Sequence, residues 1–440
     1  MNESRSLRLR GHRGHMGFGV LFALLFILLA VAPSHPAHAG AITGWKWSSI
    51  GPEPDCCFFG GGETGRTTAV AVNPTNGDDI WIGTAGGGVW HSTDGGGHWA
   101  PMSDDQASLA IGSLALAGCS VSGCSTVYAG TGENAIRRDT YYGAGLLVGT
   151  VASKIAWTLH NGGPTFDFTH GSIYNVVLDR TTSGGTQVLY IALSSGVTAS
   201  ASESTVTAPP PLGGYGIYKS TDNAATWTRL TIPGTAASDR PTDLEIDRTD
   251  HNVLYAGFLS LGIFKSLDGG ATWCPLNPGI PRPLGCSATA GFGLPNPHAP
   301  TLAGFEDFDH VEIDIYRGDH NHLYATFGQC PDRLVQDCAP LVFESVNAGL
   351  TWSERFLGSQ KPTKCDAGRC SGGPNAGDIC TAANQATDCP AGTCACDIDC
   401  PRGYSRYMHG LTISPTDPNT IYVTGFHLCE SDNNGKDFFK

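Results

Sequence analysis

The chain has 440 residues, a formal net charge of −14 and only 15% charged residues. An acidic surface repels phosphate backbones and anionic bilayers, which argues against nucleic acid and anionic membranes as partners. Glycine (59) and proline (27) are plentiful enough for many tight turns yet too few for a disordered chain. No stretch reads as a long amphipathic helix, so the expectation is an all-β protein of short strands.

Residues 1–39 read as an export signal. Arg5, Arg8, Arg10 and Arg13 form a basic start, Gly17–Ala32 is an apolar run, and Ala37–Ala39 offers a small-x-small cleavage site. The run is shorter than the roughly 20 residues of a membrane-spanning helix. No membrane partner is therefore expected after cleavage, an uncleaved N-terminal anchor being the alternative. The expected destination is the periplasm, the cell surface or the medium. Cleavage would take the net charge to about −17.

From Thr68 onward one syntax recurs. "TAVAVNPTNGDDIWIGTAGGGVWHSTDGGGHWAPM" and, at Thr242, "TDLEIDRTDHNVLYAGFLSLGIFKSLDGGATWCPL" each read as an apolar strand, a polar turn and a second strand ending in small residues. A third strand, a Ser-x-Asp phrase and a Trp-led fourth strand complete the unit. Such units begin near Thr68, Gly112, Tyr174, Asp243, Asp309 and His409, and the second has lost the Ser-x-Asp phrase. Four short strands per repeat is the pattern of a propeller blade, so the fold class is an all-β, six-bladed β-propeller spanning 40–440. The segment 44–52 resembles a fourth strand and could complete the last blade and close the ring. A truncated chain is the competing reading.

All sixteen cysteines follow the leader, as an oxidising compartment allows. Cys119/Cys124, Cys274/Cys286 and Cys330/Cys338 are each close enough to staple one loop. Seven more lie within an insertion at 357–408. Three pairs there have zinc-knuckle spacing, but no histidine joins them, and disulfides are favoured over metal. Their odd number requires a partner elsewhere, with Cys56, Cys57 or Cys429 available. No metal or cofactor is expected.

The repeated phrase appears as Ser92-Asp94-Trp99, Ser220-Asp222-Trp227, Ser266-Asp268-Trp273 and Ser345-Asn347-Trp352, with a worn copy at Ser431–Phe438. The acidic residue can accept N–H groups of its own turn, a glycine at the fifth position tolerates positive φ, and the tryptophan buries a ring between sheets. Asparagine at Asn347 and Asn433 keeps the acceptor without the charge, which marks the phrase as structural. The phrase resembles the Asp-box, or bacterial-neuraminidase repeat, of sialidases, xyloglucan hydrolases, sortilin-type receptors and photosystem-assembly factors. "GRTTAVAVNP…IGTAGGGVWHSTDGG" together with "LAIGSLAL…YAGTGEN…YYGAG" also resembles secreted bacterial propellers of undefined activity. The resemblance implies the fold and leaves the function open.

The long insertions fall on the face carrying the loops between second and third strands, where binding usually lives. The segment Gly130–Gly145, "GTGENAIRRDTYYGAG", belongs to it and offers Glu133, Arg137, Arg138, Asp139, Tyr141 and Tyr142. Glu63 and Arg66 precede the first inner strand, and Asp309, His310 and His409 hold comparable positions later. These nine residues, with the two tyrosines, are ligand candidates for an extracellular glycan or protein. An ion-pair network bracing a degenerate blade is the equal alternative.

The other reading is a glycoside hydrolase with Glu133, Tyr141 and Tyr142 as catalytic candidates. "GRTT" stands where the resemblance to sialidases would require Phe/Tyr-Arg-Ile-Pro, and Ala85 stands where xyloglucan hydrolases carry a catalytic aspartate. Both departures weigh against those activities. No nucleophile elbow, P-loop or His-Glu-x-x-His motif occurs.

Overall fold

Six antiparallel sheets follow one another along the chain. Thr67–Val72, Ile80–Thr84, Val89–Ser92 and Ala100–Pro101 form blade 1; Ile111–Ser120, Gly123–Thr131, Leu146–Thr150 and Ala156–His160 form blade 2. Blade 3 comprises Ser172–Leu178, Leu189–Ser194, Gly216–Ser220 and Thr228–Arg229. Blade 4 comprises Pro241–Ile246, Leu254–Phe258, Gly262–Ser266 and Cys274–Pro275. Blade 5 comprises His310–Ile315, Leu323–Gln329, Ala339–Ser345 and Ser353–Leu357, and blade 6 shows Gly410–Ile413, Ile421–Thr424 and Leu428–Ser431. The protein is thus an all-β propeller of six blades, without helices among the described residues.

The structure, a computed structural model, describes residues 55–56, 62–63, 66–135, 140–152, 154–181, 186–195, 211–296, 310–329, 339–357, 368–371, 379–380, 393–395, 410–424, 428–436 and 438. The leader, the 44–52 segment, Cys330/Cys338 and most of the cysteine-rich insertion lie outside them. Within that insertion Gly368–Ser371 pairs with Ile379–Cys380 and with Thr393–Ala395. Cys119–Cys124 and Cys274–Cys286 are disulfides, and Cys429 is disulfide-bonded too.

Each inner strand packs on the next, from blade 1 through blade 6, and five apolar cores lie between successive blades. Strand alternation explains this arrangement, since successive side chains of one sheet face its two neighbours. The small residues ending the second strands have a steric reason. A Cβ on Gly83 would lie 2.4 Å from Ile111 Cγ2, and one on Gly130 would lie 2.6 Å from Ile173 Cγ2. Those glycines let the next blade's inner strand approach.

Polar side chains join the blades as well. Ser113 Oγ donates to Ile173 O (2.9 Å), Thr242 Oγ1 to Val311 O (2.8 Å), and Thr68 Oγ1 to Ile111 O. Asp243 accepts from Ile313 N (2.6 Å) and Asp314 from Ile413 N (2.7 Å). A bulge at Thr68, Gly112, Tyr174 and Thr242 interrupts the inner pairing of blades 1 to 4, and blade 5 lacks it. Bulges of this kind re-aim side chains at strand ends.

The Ser-x-Asp turns share one hydrogen-bond set. Ser266 Oγ donates to Asp268 Oδ1 (2.9 Å) and accepts from Gly270 N (2.9 Å), while Thr272 N donates to Asp268 Oδ1 (2.8 Å). Ser345/Asn347 repeats every bond, with Thr351 N on Asn347 Oδ1 at 2.8 Å. An amide oxygen serves as well as a carboxylate, so the substitution is tolerated. Positive φ occurs at the fourth and fifth positions alike, 66° and 87° at Gly269 and Gly270 and 60° and 69° at Asn223 and Ala224. Trp227, Trp273 and Trp352 are buried against the preceding blade, whereas Trp99 is half-buried.

Candidate functional site

The Gly130–Gly145 loop joins the second and third strands of blade 2 and arches between its neighbours. Asn134 Nδ2 donates to Thr68 O of blade 1 (3.3 Å), and Gly143 N donates to Gly171 O before blade 3 (2.8 Å). Glu133 is fully buried beneath it. Its carboxylate forms an ion pair with Arg66, and Tyr141 N donates to it at 3.2 Å. A buried carboxylate requires such compensation, because an unpaired charge there would cost several kcal/mol. Two of the sequence candidates are therefore partners of each other.

The tyrosines differ. Tyr141 is 64% exposed, while Tyr142 is half-buried with its ring edge-on to His170 at 6.3 Å. Thr140 Oγ1 caps the loop on Ala135 O at 2.9 Å. Of the remaining candidates, Glu63 has only its backbone described, paired with Asp55. Arg137, Arg138, Asp139, Asp309 and His409 lie outside the described residues.

Farther round the same end of the axis is a second cluster. His310 is buried and its Nε2 lies 2.6 Å from Glu312 Oε1. Burial pushes the imidazole down to about 3, so it is neutral at pH 7. Burial likewise raises Glu312 well above the usual carboxylate range, with the Asp314 charge adding to it. Tyr174 stacks against His310 at 6.3 Å and donates its hydroxyl to Ser195 O at 3.2 Å. Burial raises that phenol and the charge of Arg240 opposes the rise. Asp243, next along the axis, is raised by burial and by Glu312, and accepts from Asn175 Nδ2 at 2.8 Å.

Sequence reasoning singled out His310 and missed Tyr174, Arg240 and Glu312. A signal was there for Arg240. "Arg-Thr-Thr" at Arg66–Thr68 and "Arg-Pro-Thr" at Arg240–Thr242 place an arginine two residues before the bulged threonine. The carbonyls of both arginines accept from the end of their second strand, Ala85 N and Leu259 N, at 2.9 Å. The two arginines therefore occupy the same place in their blades.

The chemistry of this end is polar and aromatic. It presents a phenol ring to solvent, a partly exposed guanidinium, and the Glu133 and Glu312 carboxyls engaged by a guanidinium and an imidazole. Among the described residues no group of three or more His, Cys, Asp or Glu side chains could hold a metal ion.

No protein-family model and no curated protein sequence matches the chain. Among solved structures it is similar to an ancestral GH74 enzyme, at 15% identity and a TM-score of 0.50, over 90% of this chain and 39% of that one. It is also similar to the GH74 xyloglucanase from Xanthomonas campestris (16%, TM-score 0.39, 84% of this chain and 52% of that one). A third is YCF48 bound to D1 peptide (10%, TM-score 0.41, 85% and 82%). The chain spans less than two thirds of the length of the GH74 enzymes it matches. At these identities the likeness concerns the propeller fold alone.

Proposed function

We propose that this protein is an exported Asp-box β-propeller that acts as a binding module, taking extracellular glycan or protein on the face of its second-to-third-strand loops. The observation that carries the reading is the state of Glu133. A general acid or base must reach the scissile bond with a proton to exchange. Glu133 is instead fully buried and spent on Arg66 and the Tyr141 amide, which supports a bracing role for it. Tyr141, exposed directly above, supplies the amphipathic ring that carries binding energy at such surfaces. The basic leader and the paired cysteines support export. The uniform bonding of the Ser-x-Asp turns supports the Asp-box assignment.

The test is a glycan array, and a search for protein partners, with the secreted protein beside Tyr141→Ala, while released reducing sugar is followed in solution. Binding that weakens at least tenfold in Tyr141→Ala, without sugar release, is the expected result. Sugar release abolished by Glu133→Gln would replace this reading with the glycoside hydrolase.

A further inference from the structure

The opposite face carries the first-to-second and third-to-fourth strand turns, and two of its blade junctions are sealed in one way. At the junction of blades 3 and 4, Tyr190 OH and Lys219 Nζ both donate to Gly269 O, the fourth residue of the incoming Ser-x-Asp turn (3.1 and 2.9 Å). At the next junction Tyr255 OH and Lys265 Nζ donate to Ala348 O in the same place (3.1 and 2.7 Å). Between blades 5 and 6, Asn434 Nδ2 of the turn donates to Glu344 Oε1 (2.9 Å).

Blade 2 has no such turn, since a short segment after Thr150 leads directly to Ala156. The equivalent residues of blade 1, Trp81 and His91, make no such bond across the junction among the described residues. They hold Asp79 instead, His91 Nε2 at 2.7 Å and Trp81 Nε1 at 3.0 Å, with Asn73 Nδ2 on the other carboxylate oxygen at 2.9 Å. The missing turn leaves a half-open cavity of about 460 Å³ between the two blades.

Three properties of the cavity define what fits. Its size lies in the ~300–1,000 Å³ range of small-molecule pockets. The Asp79 carboxylate is the one acidic side chain in the lining, and its oxygens are taken up by Asn73, Trp81 and His91 inside the protein. Thr93, Ser120, Ser122 and Ser125 surround it with hydroxyls that both donate and accept. The His91 ring, stacked on Trp81 at 3.8 Å and 17°, adds a flat face of the kind that packs on sugar C–H groups. We propose that this cavity is a binding site for a neutral, polyhydroxylated ligand of one or two sugar rings, on the face opposite the Tyr141 site.

Saturation-transfer NMR on the full chain with glucose, galactose, xylose, cellobiose, maltose and lactose tests it. At least one should give a signal that weakens tenfold or more in Ala152→Trp, which fills the rim, and in Ser122→Trp. The signal should persist in Tyr141→Ala, which separates this site from the one proposed above. No signal from any of the six, or undiminished binding in whichever tryptophan variant keeps the wild-type melting temperature, overturns the proposal. So does binding of the octapeptide Ser-Leu-Asp-Gly-Gly-Ala-Thr-Trp without any saccharide, which would make the cavity a receptor for a peptide turn.

Discussion

Replacing Glu344 by glutamine should cost about 3 kcal/mol at pH 7, and the cost should drain away in acid. Glu344 sits on the third strand of blade 5 with a side chain only 2% exposed. Burial alone would raise its carboxyl, but the bonds from His322 Nε2 (2.7 Å), Asn434 Nδ2 (2.9 Å), Arg355 Nε (2.7 Å) and Tyr324 OH (2.9 Å) outweigh burial. The net effect holds it down at about 2, against 4.5 when unperturbed. At about 1.4 kcal/mol per pH unit, that difference amounts to roughly 3 kcal/mol. Because the folded value is depressed, the contribution is fully present above pH 4.5 and is lost as pH falls towards 2. Urea unfolding of wild type and Glu344→Gln, followed by tryptophan fluorescence at pH 7, 5, 4 and 3, reads this directly. The gap should be constant from pH 7 to 5 and shrink to roughly 1.4 kcal/mol at pH 3. A gap independent of pH would refute the reasoning.

Other outcomes follow from the same contacts. Asp268→Asn should unfold within about 0.5 kcal/mol of wild type, as Asn347 keeps the same bonds, whereas Asp268→Ala should cost about 1–2 kcal/mol in a denaturant titration. Arg66→Ala strands the buried Glu133 charge and should cost about 3 kcal/mol, and adding Glu133→Gln should recover most of it. Gly270→Ala should lower the melting temperature more than Gly96→Ala. Both sites have φ near 90°, but the added methyl lies 2.6 Å from Leu230 Cδ1 at the first and 3.5 Å from Trp99 at the second.

The blades were legible because one backbone solution is repeated. The phrase around Asp268 determines its own turn, the glycines at Gly83 and Gly130 mark close approach, and alternation sets the inter-blade cores. The site was only partly legible. Nothing local to "GENA" says that Glu133 folds inward to Arg66, because their pairing depends on two blades meeting. His310 was visible by position, yet its neutral state comes from burial, with Tyr174 of blade 3 stacked on it and Glu312 two residues along its own strand. Tolerance of asparagine in the turn, in contrast, could be read directly, since both versions occur in the chain.

In each of these polar bonds between inner strands, a side chain of one blade engages the backbone of the next. Thr68, Ser113 and Thr242 each donate forward to a carbonyl of the next blade, and Asp243 and Asp314 each accept from an amide of the next. Blades 2 to 5 thus each answer to a predecessor and make a demand on a successor. Duplicating a blade whole keeps that correspondence, while permuting blades or fusing a half-blade breaks it at two seams. Chain growth is therefore confined to whole repeats and to loops outside these seams.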